Sequence, residues 1–226
     1  MSNPESFIEE VNDELRRDRL FAALRKYGWI GIAAVILIVG GAAFYEYRGA
    51  QDRAAAEALG DDLIAALEAD GPEARAQALA GVEPGSEEGR AVQAFLLAAE
   101  EAGGGNIEAA VQRLQSVENS ADLSLVYRQL ASFKALLLSK DQRTIEERRS
   151  GFEALAQPGI AFRALAEEQL ALLDIEEGNA DAALSRLQTL IRDAEATPDL
   201  QQRALQVIVA LGGSPVPDAA GNTANE

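Results

Sequence analysis

Two hydrophobic patterns alternate along this chain. From Tyr27 to Tyr45, 19 consecutive residues carry no charge, and Ile30 to Val39 are nearly all Ile, Val, Ala and Leu. Beyond Arg48, apolar residues instead recur at helical spacing between polar ones, in short blocks separated by Gly, Pro and Asn. A helix through the uncharged run is about 28 Å long, close to the ~30 Å hydrocarbon core of a bilayer. It shows no polar face at the helical period, which a helix in a soluble core would have. Tyr27 and Trp29 stand at one edge and Phe44, Tyr45 and Tyr47 at the other, as interfacial aromatic belts require. The pattern predicts a transmembrane helix over residues 27–47, with Lys26, Tyr27, Trp29, Tyr45, Tyr47 and Arg48 as its membrane-interface anchors. A cleaved signal peptide is the rival reading, because Gly41-Ala42-Ala43 resembles a small-residue cleavage site. Against it, 26 residues of mixed charge precede the run, whereas signal peptides open on a short, simply positive segment.

Flanking charge gives the span a direction. Arg16, Arg17, Arg19, Arg25 and Lys26 lie within 15 residues on its N-terminal side, against Arg48 and Arg53 on the other. Cations favour the cytoplasmic side, so residues 1–26 are expected in the cytoplasm and the bulk of the chain across the membrane. In a Gram-negative cell this is an inner-membrane protein with a periplasmic domain. The N-terminal arm has its own helical signals. Asn3 suits an N-cap, Pro4 the first helical position, and Glu5, Glu9 and Glu10 the positive end of the dipole. Phe7, Ile8, Val11 and Leu15 share one face, making the arm either a docking helix for a partner or a juxtamembrane helix on lipid headgroups.

After the span, the pattern predicts helices over 50–69, 72–80, 87–102, 107–117, 121–138, 142–156, 160–176, 180–195 and 199–211. Residues 48–211 thus form a helical domain, and 212–226 have the composition of a disordered tail. Within the domain, GNIEAAVQRLQ at 105–115 recurs as GNADAALSRLQ at 178–188, 73 residues on. Each copy follows an Ala/Leu-rich helix. A helix, a Gly-Asn turn and a helix opening on an acid and two alanines is the plan of a tetratricopeptide (TPR) unit. Gly ends the first helix of each pair and Asn caps the second. Ala98, Ala110 and Leu114 take the small, small and large packing positions of one unit, and Ala171, Ala183 and Leu187 those of the other. Seventy-three residues is about twice the 34-residue TPR period, which leaves room for a degenerate unit at 124–156. The fold class expected is all-α, a transmembrane helix followed by a TPR-like helical-repeat solenoid, with a generic helical bundle as the competing arrangement. By TPR register, Val92, Phe95, Leu165, Glu168 and Leu172 line the concave groove, a site for a peptide or partner segment. Alternatively, neighbouring helices of the same chain fill it.

Composition narrows the chemistry. The chain has no His and no Cys, which removes imidazole bases, thiol nucleophiles and the usual zinc ligands. Net charge is −17, and 30 acids against 14 Lys and Arg follow Gly49 onward. A field of that sign repels phosphate backbones and argues against nucleic acid. Gly103-Gly104-Gly105 has no following Gly-Lys-Ser/Thr and reads as a helix terminator. Adjacent acids such as Asp61-Asp62 and Glu167-Glu168 point in different helical directions and read as solvated faces. No enzyme, cofactor, metal or small-molecule substrate is expected.

Taken together, Lys26 and Gly28 before the span, Phe44-Tyr45-Glu46-Tyr47-Arg48 after it, and the two Gly-Asn units resemble the ancillary subunit of the bacterial Sec translocon. The resemblance covers the chain up to its tail. It implies association with the translocon and with a membrane-anchored periplasmic chaperone or prolyl isomerase, assisting exported proteins. The cytoplasmic arm SFIEEVNDELRRDRL departs from the pattern, which leaves its partner open. An envelope scaffold organising another inner-membrane complex, for cell wall, division or respiration, fits the same features.

Overall fold

The computed structural model describes the backbone of residues 4–214, and side chains from Arg25 onward apart from Tyr27, Gly28 and Ile32. The described residues are all-helical, with no strand. Helix α1 runs without interruption over Pro4–Leu67. The three segments expected separately, arm, span and first domain helix, are therefore one element. No proline follows Pro4 before residue 67, and the helix-forming alanines around Gly40, Gly41 and Gly49 carry the helix through those weak points. Asn3 and the side chains of Phe7, Ile8, Val11 and Leu15 lie outside the described residues, as does the Tyr27 side chain. From Trp29 onward α1 is long and apolar enough to cross a membrane, with a mean hydropathy of 1.8 and none of that window buried.

Two compact units divide the chain, Met1–Ala58 and Leu59–Glu226. The second unit begins at Leu59 rather than at 48. It contains the last turns of α1, then α2 (Pro72–Ala80), α3 (Glu87–Gly103), α4 (Ile107–Glu118), α5 (Leu125–Leu138), α6 (Ile145–Leu155), α7 (Arg163–Glu176), α8 (Ala180–Leu190) and α9 (Pro198–Ala210). Four bounds differ from the pattern by three residues or more. Helix α5 waits for Ser124, and α6 for Thr144, whose side chain forms a capping box with Glu147. Helix α7 begins only at Arg163, after a turn closed by the bond from Arg163 N to Ile160 O. Helix α8 stops at Leu190, after which turns at 191–197 bring Ala196 into the core.

Each helix of the second unit packs mainly on its neighbours in sequence, with α3 and α5 also in contact. The buried residues accordingly form a chain of clusters, each drawn from successive helices. Leu63, Ala66, Leu79 and Leu97 join α1, α2 and α3. Ala98, Ala110, Leu114 and Ala135 join α3, α4 and α5. Phe133, Phe152, Leu170 and their neighbours join α5, α6 and α7, and Ala171, Leu187, Leu200 and Ile208 join α7, α8 and α9. The six residues expected at the packing positions of the two units are all buried: Ala98, Ala110 and Leu114, and Ala171, Ala183 and Leu187. Alanine at a helix crossing removes the side-chain bulk that would hold the backbones apart, so each pair approaches closely.

The C-terminal boundary also moves. Gly212, Gly213 and Ser214, assigned by composition to the tail, finish the fold. Gly212 has φ 74°, Gly213 N donates to Ile208 O at 2.9 Å, and Gln188 donates to Ser214 O. A Cβ on Gly213 would stand 2.5 Å from Leu184 Cδ2, so a larger residue there would require the Leu184 side chain to shift. Residues 215–226 lie outside the described residues.

Candidate functional site

The two Gly-Asn turns are built alike. Gly105 and Gly178 have φ of 86° and 82°, the left-handed region that glycine enters without steric cost. That reversal lets Asn106 N donate to Glu101 O and Asn179 N to Asp174 O, both at 2.8 Å, closing the ends of α3 and α7 in Schellman fashion. The caps of the following helices differ. Asn106 accepts from Ala109 N at 3.4 Å, whereas Asn179 makes no cap bond and donates to Glu177 instead. The expectation that Asn caps both helices thus holds for one.

A second correspondence was not read from the sequence. Arg113 of α4 donates to Glu101 of α3, and Arg186 of α8 donates to Asp174 of α7. Both partners are offset by the same 73 residues as the turns. In each unit, the acid whose carbonyl closes the first helix also holds an arginine of the second. The Arg113 guanidinium is raised above its ordinary value by its hydrogen bond to Glu101, against the opposing effect of burial. Burial opposes the Arg186 charge too, and hydrogen bonds to Glu167 and Asp174 more than offset it. Asp174, 4% exposed, also pairs with Arg149 of α6 at 2.8 Å, which ties the middle pair of helices to the last.

The groove residues separate into two groups. On α3, Val92 is 38% exposed, and half-buried Phe95 stacks on Tyr127 of α5 with ring centroids 6.4 Å apart. On α7, Leu172 is 40% exposed and Leu165 is half-buried between two core clusters. Glu168 is not open: it is 8% exposed and accepts from Arg203 of α9 at 2.8 and 2.9 Å. Helix α9 thereby closes that part of α7, and no core cluster unites the α3 residues with those of α7.

Beside Phe95, helices α3, α4 and α5 line a half-open pocket of about 260 Å³. Ala99 and Ala102 form one wall, Leu137 and Leu138 the other, and Lys134 is its one charged lining residue. The middle pair supplies part of this lining, yet α5 contributed nothing to the sequence-derived groove. Its turn to α6 lacks the Gly-Asn signature that sets register elsewhere. Here Ser139 is buried, its hydroxyl donating to Leu136 O, and its carbonyl accepts from Gln142 and Arg143.

Of the membrane-interface anchors, Lys26, Trp29, Tyr45, Tyr47 and Arg48 are all placed on α1, where Trp29, Tyr45 and Tyr47 are exposed. Arg48 lies 5.0 Å from the centroid of the Phe44 ring, a cation–π distance, and the Tyr47 hydroxyl accepts from Gln51 at 2.9 Å. Among the described residues no group of three or more acidic side chains is placed to hold a metal ion. No protein-family model matches the chain, and comparison with curated proteins and with solved structures yields no significant match.

Proposed function

We propose that this chain is a membrane-anchored adaptor whose outer domain is a TPR-like solenoid. The observation that carries the reading is the 73-residue recurrence of turn, buried alanines, buried leucine and cross-helix ion pair, in a unit whose helices pack neighbour on neighbour. Repeats of this kind bind other proteins along the face of their first helices, and α3 and α5 offer such a face with Val92, Phe95 and Leu137. Flanking cations support a cytoplasmic N-terminus and a periplasmic repeat domain. The resemblance to the ancillary Sec subunit supports the translocon as the assembly it serves, with a periplasmic chaperone or prolyl isomerase beside it.

Photocrosslinking amino acids at Val92, Leu137 and Leu172, and within the membrane helix at Ile36, test this in cells. Capture of translocon or chaperone subunits is the expected result. Capture only of cell-wall, division or respiratory subunits would replace the Sec assignment while leaving the adaptor role.

A further inference from the structure

The acidity of the second unit is uneven. Residues 59–177 hold 22 Asp and Glu against 10 Lys and Arg, whereas 178–214, which carry α8 and α9, hold four against three. Helix α9 has two charged residues, Asp199 and Arg203, and Arg203 is committed to Glu168. Leu200, Ala204 and Ile208 mark its packed side in the last core cluster. On the opposite side Gln202, Leu205, Gln206 and Val209 recur at i, i+3, i+4 and i+7, one stripe of the helix. Val209 is 64% exposed, both glutamines are exposed, and Leu205 is half-buried. A helix that ends a stack of repeats needs a polar outer face for solubility, yet this stripe carries no charge. Nor does the described chain turn back over it. Gly213 N donates to Ile208 O and Ser214 O accepts from Gln188 of α8, so the chain leaves α9 on its packed side.

We infer that this stripe is an isologous contact with a second copy of the chain, α9 against α9 about a two-fold axis. Near such an axis a side chain meets its own image, so a charged residue is repelled there and a neutral one is not. Gln202 and Gln206 suit the place, because an amide both donates and accepts, and Leu205 and Val209 supply apolar area. Contact through 59–177 would instead set like charge against like. The 13 residues of α9 span about 20 Å, so the contact is smaller than the ~800 Å² per partner of a standard interface. Anchoring both copies in one membrane, as proposed above, raises their effective concentration and makes a weak contact sufficient. The inference goes beyond the adaptor reading and involves neither α3 nor α5.

The chain has no cysteine, so a single introduced one reports which surfaces meet. The test uses the purified full-length protein in phosphatidylcholine liposomes. Gln206→Cys should oxidise to a disulfide-linked dimer about tenfold faster than Gln112→Cys, an exposed site on α4 within the acidic stretch. Gln206 lies near the middle of the stripe, so it meets its image whether the two helices run parallel or antiparallel. Adding Val209→Asp should slow the Gln206→Cys reaction to the Gln112→Cys rate, with circular dichroism unchanged because Val209 is exposed. Deleting residues 215–226 should leave the rate as it is. Equal rates at the two cysteines would leave the stripe to a different protein and overturn the inference. So would a Gln206→Cys rate indifferent to Val209→Asp, or a dimer that forms only after the deletion, which would assign the stripe to the chain's own last residues. Photocrosslinking from Val92 and Leu137 tests the adaptor role on other helices, so either reading can fail without the other.

Discussion

At the scale of single residues, Asp174 is a buried carboxylate shared by two arginines. Removing it leaves Arg149 with Glu177 and Arg186 with Glu167, each cation losing one of its two carboxylates. Asp174→Ala should destabilise the domain by about 2 kcal/mol in urea titration. Glu101→Ala, at the equivalent place but with a single arginine on a more exposed pair, should cost only about 1 kcal/mol. Gly105→Ala and Gly178→Ala force a Cβ into left-handed backbone at matched turns, each losing about 1–2 kcal/mol by the same measurement. Asp193 gives the domain an acid limb. The N–H of Glu195 and the guanidinium of Arg163 hold its carboxyl below the ordinary value. A depressed carboxylate adds stability that is complete above its unfolded value of about 3.9 and is lost as pH falls through the lower folded value. Wild type should therefore exceed Asp193→Asn in stability from neutral pH down to about 4, with the gap closing at lower pH.

At the scale of elements, the second helix of each pair was the most legible. GNxxAAxxRLQ carries a turn, one buried small contact position (Ala110 or Ala183), a buried leucine and an arginine, all set by local geometry and the 3.6 period. Ala183 has no exposed surface, so Ala183→Leu should overpack the α7/α8 crossing and cost about 2 kcal/mol, while Leu187→Ala opens a cavity worth about 3 kcal/mol; chemical denaturation checks both. The register of α5 was not legible, because its turn is held by Ser139 and Thr144 rather than by a glycine. Nor was the closure of α9 over Glu168. An acid followed 35 residues later by an arginine is no sequence signal until the fold brings them within 2.9 Å.

At the scale of the whole molecule, the division at Leu59 predicts that residues 59–214 fold without the membrane helix. This fragment should be soluble, strongly helical by circular dichroism, and should unfold cooperatively in urea; a fragment cut at Pro198 should be much less stable, because it loses the Leu200, Ala204 and Ile208 side of the last core cluster. The fragment ends at Ser214 because Gly212–Ser214 close the last helix on α8.

The sequence by itself determined what depends on near neighbours along the chain: the apolar run long enough for a membrane, the all-helical content, the two Gly-Asn turns and the alanines and leucines buried beside them. Periodicity and backbone preference act over a few residues, so they are readable without a fold. Tertiary structure alone decided that α9 shields Glu168, and that Arg149 and Arg186 meet on Asp174. It alone formed the pocket at Lys134. These outcomes depend on which surfaces meet across distant stretches of chain, and burial and charge pairing settle them only once the helices are stacked.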